Sequence, residues 1–91
     1  MFNVNDIVIV KSEKDFEKDI LNGLCYKTDT GSIYYRNDRD QIPFSSAMKK
    51  FYDKKFIVVN YLDDSAIYLH TDEDDLDDVV RYTFTTINFL S

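Results

Sequence analysis

Ninety-one residues make one domain, 1–91, with a small core, since a chain of this size hides only about 60–65% of its unfolded surface. Hydrophobic residues reach 44%, with seven Tyr, seven Phe, two Gly and one Pro, which is an ordered, globular composition. The formal charge of −6 argues against a general grip on DNA, RNA or an anionic membrane, and the length leaves little room for a deep substrate cleft.

Phe2 to Val10 reads as a strand, because Ile7, Val8, Ile9 and Val10 are β-branched in a run too short for a helix. Asn5-Asp6 before it is a turn signal. Ser12 opens a helix, with Asp15 three places later as in a capping box. Phe16 and Ile20 share one face with Leu21 beside them, and Asn22-Gly23 ends the helix.

Leu24 to Arg36 holds one or two short strands around a turn at Thr28 to Gly31, and Asn37 to Gln41 is a polar loop. Pro43 and Ser45 precede a short helical piece in which Met48, Phe51 and Tyr52 share a face. Phe56 to Leu62 is the strongest strand, apolar on both faces and therefore central. A hairpin turn at Asp63-Asp64-Ser65 leads to a returning strand, Ala66 to His70, and Val79 to Thr85 forms a final strand before an apolar tail, Ile87 to Leu90. The order predicts an α+β chain, mainly β: a small curved antiparallel sheet or partly closed barrel with an N-terminal helix and a short second helix.

The charge is local. Between Asp63 and Asp78 stand eight acids and no Lys or Arg, whereas the other 75 residues carry nine acids against eleven bases. One explanation is a solvated loop that keeps the protein soluble. The other is a negative patch, Asp63, Asp64, Asp72, Glu73, Asp74, Asp75, Asp77 and Asp78, presented to a basic partner at the cost of self-repulsion.

No catalytic apparatus is recognisable, so a non-enzyme is expected. Cys25, between Leu24 and Tyr26, reads as a buried thiol. His70 reads as a structural or surface residue at a strand end. One Cys and one His cannot supply the four ligands of a structural zinc. Counted from Asp72, the sixth and twelfth positions are Asp77 and Thr83 where an EF-hand needs Gly and Glu, so that motif fails. No Gly-rich phosphate loop exists, and no metal or cofactor is expected. Lys49, Lys50, Lys54 and Lys55 surround Phe51, Tyr52 and Phe56, a pattern that single-strand binders show, but here the aromatics are needed for the core. The single Cys and the lack of a signal-like or membrane-spanning run point to the cytoplasm.

The opening FNVNDIVIV, the segment MKKFYDKKFIVVNYLDDSAIYL and the terminal YTFT occur in an order that resembles small SH3-like barrel proteins of phages and prophages of low-GC Gram-positive bacteria. The resemblance implies an SH3-like, partly closed barrel. Asn5 and Asp53 stand where that pattern has Gly, and the acidic tract is longer than the pattern needs. A small acidic phage-type protein without catalytic residues is then expected to act by binding, as a DNA mimic that inhibits a host nucleic-acid machine. One concrete version is an anti-CRISPR protein facing the basic surface of an RNA-guided nuclease, with no direct nucleic-acid or membrane contact. Tyr61, Tyr68 and Tyr82 are candidate aromatic anchors beside the eight acids. The alternative is a phage structural or regulatory adaptor, whose apolar interface is the exposed side of Phe56 to Tyr61 or the tail Ile87 to Leu90. The sequence leaves the oligomeric state open.

Overall fold

The computed structural model describes residues 3–61, 66–70, 79 and 81–90, with the backbone alone for Tyr61 and Ala66. The chain runs through β1 (Ile7–Ile9), α1 (Glu13–Leu21), β2 (Cys25–Lys27), β3 (Ile33–Tyr35), a 3₁₀ helix (Ser46–Phe51), β4 (Lys55–Tyr61), β5 (Ala66–His70), β6 (Phe84–Thr85) and a second 3₁₀ turn (Thr86–Asn88). It is an α+β fold, mainly β.

Strands β1, β4, β5 and β6 form one antiparallel sheet in the order β1-β4-β5-β6. Within it, Val58 pairs with Leu69 and Asn60 with Tyr68, so Val59 is an extra residue. Such a bulge bends the strand and strengthens its twist, which curls the sheet. Beyond β6 the chain returns to β1. Val10 and Phe89 form an antiparallel bridge, the Lys11 amide donates to the Asn88 carbonyl (2.9 Å), and the Leu90 amide donates to Ile9 (3.0 Å). The curled sheet therefore meets itself at β1, as expected of a partly closed barrel. The hairpin β2–β3 stands apart as a two-stranded sheet, joined to the rest by a bridge between Ile33 and Phe44.

Helix α1 begins as the sequence predicts. Ser12 has extended backbone and its hydroxyl accepts from the Asp15 amide (3.1 Å), while Asp15 accepts from the Ser12 amide (3.1 Å). It ends at Gly23 with φ +76°, where the Gly23 amide donates to Ile20 and the Leu24 amide to Asp19. This αL ending satisfies carbonyls that would otherwise be orphaned. Phe16 is buried and Ile20 packs against the core. Leu21, expected beside them, is 87% exposed instead, because one further residue rotates the side chain about 100° off the buried face.

The core gathers Val8, Val10, Phe16, Cys25, Ile33, Tyr35, Phe44, Met48, Phe51, Phe56, Val58, Ile67, Leu69, Val79, Phe84 and Phe89. Met48 and Phe51 lie three apart on the first 3₁₀ helix, the spacing that stacks side chains along its axis. Strand β4 is central in its pairing but not buried on both faces: Phe56 and Val58 turn inward, whereas Val59 is 44% exposed. The final strand is shorter than expected. It occupies only Phe84–Thr85, and the Tyr82 amide instead closes a turn onto the Val79 carbonyl (3.0 Å). The first strand is likewise confined to Ile7–Ile9, because Asn5 takes φ +77° and the Asp6 amide donates back to Asn3.

Candidate functional site

The eight acids singled out in the sequence, Asp63, Asp64, Asp72, Glu73, Asp74, Asp75, Asp77 and Asp78, lie outside the described residues. Their points of attachment do not. Residues 62–65 connect β4 to β5, and residues 71–78 follow β5, so the two groups join opposite ends of the same strand. Ala66 and His70 are four residues apart, about 13 Å along an extended chain. The remaining residues carry eleven bases and nine acids.

Of the three tyrosines, Tyr61 ends β4 and its side chain is outside the described residues. Tyr68 is half-buried between two buried neighbours, Ile67 and Leu69. Tyr82 packs against the core, its ring edge-on to Phe51 at 5.5 Å with the Lys50 ammonium 5.9 Å from its centre. Its ring is therefore committed to packing more than to a partner.

Lys49, Lys50, Lys54 and Lys55 are all exposed around the turn from the 3₁₀ helix into β4. The aromatics between them are not available for base stacking. Phe51 and Phe56 are buried and in edge contact at 5.7 Å, and Tyr52 stacks on Phe44 at 5.6 Å. Burial pushes the Tyr52 phenol up, helped by Glu13 and Glu17.

One polar cluster escapes the sequence. The Lys11 ammonium donates to Asp19 Oδ2 at 2.7 Å, the Tyr35 hydroxyl donates to the same oxygen at 2.5 Å, and Lys11 sits 4.9 Å from the centre of the Tyr35 ring. Burial raises the Asp19 carboxyl, but the two donated hydrogen bonds and the Lys11 charge outweigh it and hold it below its ordinary value. The Tyr35 phenol moves up, first through burial and then through Asp19. Buried Cys25, next to them, has its thiol raised by burial and by the same carboxylate. A raised thiol is a poor nucleophile, and the cluster ties the segment between β1 and α1 to the helix and to β3. Its members are 8 and 24 positions apart from Lys11, too far for any sequence spacing to reveal.

Among the described residues, two outward faces stand out. Strand alternation puts Leu24, Tyr26, Tyr34 and Arg36 on the outer side of the β2–β3 hairpin, opposite buried Cys25, Ile33 and Tyr35. Tyr26 and Tyr34 are register partners whose rings stack at 5.8 Å and 20°, and the Arg36 guanidinium lies 5.0 Å from the Tyr26 ring centre. On the main sheet, Ile7 is 71% exposed and pairs with half-buried Ile57, and Val59 extends that apolar face across the bulge. Leu90, in the predicted apolar tail, is exposed, whereas Phe89 is buried.

Among the described residues, no group of three or more His, Cys, Asp or Glu is placed to hold a metal ion. Among the same residues, no helix is long and apolar enough to cross a membrane. No protein-family model, no curated protein and no solved structure matches this chain.

Proposed function

We propose that this chain is a binding protein that inhibits a nucleic-acid-handling complex by offering carboxylates to a basic surface, in the manner of an anti-CRISPR protein. The observation that carries this is the segregation of charge. Eight of the seventeen acids fall in two segments attached to the ends of one strand, β5, while the remainder of the chain has a formal charge of +2. Channels that hold nucleic acid are lined with Lys and Arg, because duplex DNA carries one charge per about 1.7 Å of axis. A chain with acidic segments on both sides of β5 meets such a surface with fast, steered association and loses it as salt rises.

The test replaces Asp72, Asp74, Asp75, Asp77 and Asp78 with Asn and Glu73 with Gln. Inhibition of target-DNA binding by an RNA-guided nuclease is then measured for both forms. Loss of inhibition in a folded variant supports this mechanism, and unchanged inhibition removes the tract from it.

A second function, that of a phage adaptor working through an apolar interface, is favoured by the exposed Ile7 and Val59 on the outer face of β1 and β4. It predicts binding that barely responds to ionic strength and is lost in Ile7→Asp.

A further inference from the structure

The outer face of the β2–β3 hairpin has an arrangement that neither proposal uses. Its four side chains, Leu24, Tyr26, Tyr34 and Arg36, belong to the types that dominate binding energy at protein interfaces, save the leucine, which supplies apolar area. Leu24 is 45% and Tyr26 38% exposed, in a protein whose other aromatics are largely consumed by the core. The charges on these two strands and at Arg36 have one sign: Lys27 and Arg36 are both exposed, and neither strand carries an acid.

The ring geometry limits what can sit there. Tyr26 has Tyr34 stacked against it and the Arg36 guanidinium over it, so its π faces are already engaged. Nucleobases need free ring faces, and a polyanion would also be opposed by the −6 charge of the whole chain. What the face offers is ring edges, phenol hydroxyls, an aliphatic side chain and a guanidinium. Stacking restrains that guanidinium, and among the described residues no carboxylate pairs with it. A planar guanidinium held on an aromatic ring is pre-organised to take a carboxylate with two parallel hydrogen bonds, at less entropic cost than a free side chain.

We infer that the outer face of the β2–β3 hairpin docks a protein segment that carries a carboxylate next to an aliphatic or aromatic side chain. Arg36 receives the carboxylate, and Leu24 with the Tyr26–Tyr34 pair covers the apolar neighbour. This surface is opposite in sign to the acidic segments.

A library of random dodecapeptides, selected on the intact immobilised protein, tests the inference. Enriched peptides are expected to carry Asp or Glu beside Leu, Ile, Phe or Trp. Arg36→Gln and Tyr26→Ser should each weaken them about tenfold or more. Because the chain has no Trp, a Trp in the peptide reports binding without interference. Circular dichroism verifies that both variants fold, and Leu24→Ser provides a third, milder variant of the same face. The inference is overturned if no acidic-apolar class is enriched, if those peptides bind the Arg36 and Tyr26 variants unchanged, or if oligothymidylate displaces them from the intact protein. Enrichment of basic peptides alone, insensitive to Arg36→Gln, would also overturn it and would assign binding to the acidic segments.

Discussion

Val10 and Phe89 face each other across an antiparallel bridge, and this contact joins the C-terminal segment to the first strand. Val10 also exchanges hydrogen bonds with the start of β4 on its other side, donating to Lys54 at 3.0 Å and accepting from Asp53 at 3.1 Å. The first strand is thus held between β4 and the tail, and its edge is covered where an uncovered one would invite pairing with another chain.

Phe89 is buried, with its ring 5.8 Å from that of Phe84. Phe89→Ala should therefore cost about 3–5 kcal/mol, a large share of the stability of a domain this size. Urea unfolding followed by circular dichroism measures it. A cost below about 1 kcal/mol would mean that the closure is not a stabilising contact.

Asp19 gives a pH dependence whose sign is fixed. Its folded carboxyl titrates below the unfolded value of about 3.9, so its contribution is present above that pH and is lost as pH falls through the folded value. Asp19→Asn should cost about 1–3 kcal/mol near neutral pH, as expected for hydrogen bonds to a charged group, and the gap should shrink below about pH 4. Unfolding of both forms at pH 7 and pH 3 checks the trend.

Asp53 has φ +64°, in the left-handed region where a Cβ is penalised. Asp53→Ala should lose about 1 kcal/mol, since Ala lacks the local side-chain bonding that lets Asp tolerate this backbone. Asp53→Gly should be at least as stable as the parent, and thermal melts of the pair separate backbone conformation from loss of charge.

Thr85 is buried and its hydroxyl finds no hydrogen-bond partner among the described residues. Thr85→Val keeps the shape and removes the orphan group, so it should be neutral or stabilise by up to about 1 kcal/mol. A clear destabilisation on unfolding would show that the hydroxyl is satisfied.

Local signals were legible because their physics is local. Ser12 and Asp15 cap α1 reciprocally, Gly23 takes the αL backbone after it, and Asn5 and Asp53 adopt the positive φ that Asn and Asp tolerate in turns. Cys25 is buried as its apolar neighbours suggested. The errors arose where a short apolar run could be strand or packed turn. Val79 is fully buried, yet no strand begins there, because burial alone satisfies a Val whether or not its backbone pairs. Leu21 looked like part of a buried face and is not, because helix rotation, not proximity in sequence, decides which side is covered.

Length, composition and the placement of eight acids in sixteen residues are properties of the sequence alone, as are the turns and caps that punctuate the chain. They fix the mainly-β character and the order of the elements, since both follow from short-range sterics and periodicity. Only the tertiary structure decided that Lys11 and Tyr35 share one oxygen of Asp19, and that Tyr26, Tyr34 and Arg36 come together on one face of the hairpin. Each of these depends on which strands pair and in what register, and a register change of one residue would turn every side chain to the other side of its sheet. The −6 is thus unevenly placed along the chain, with eight acids in the segments just before and after β5, while the structure adds a positively charged aromatic face on the hairpin.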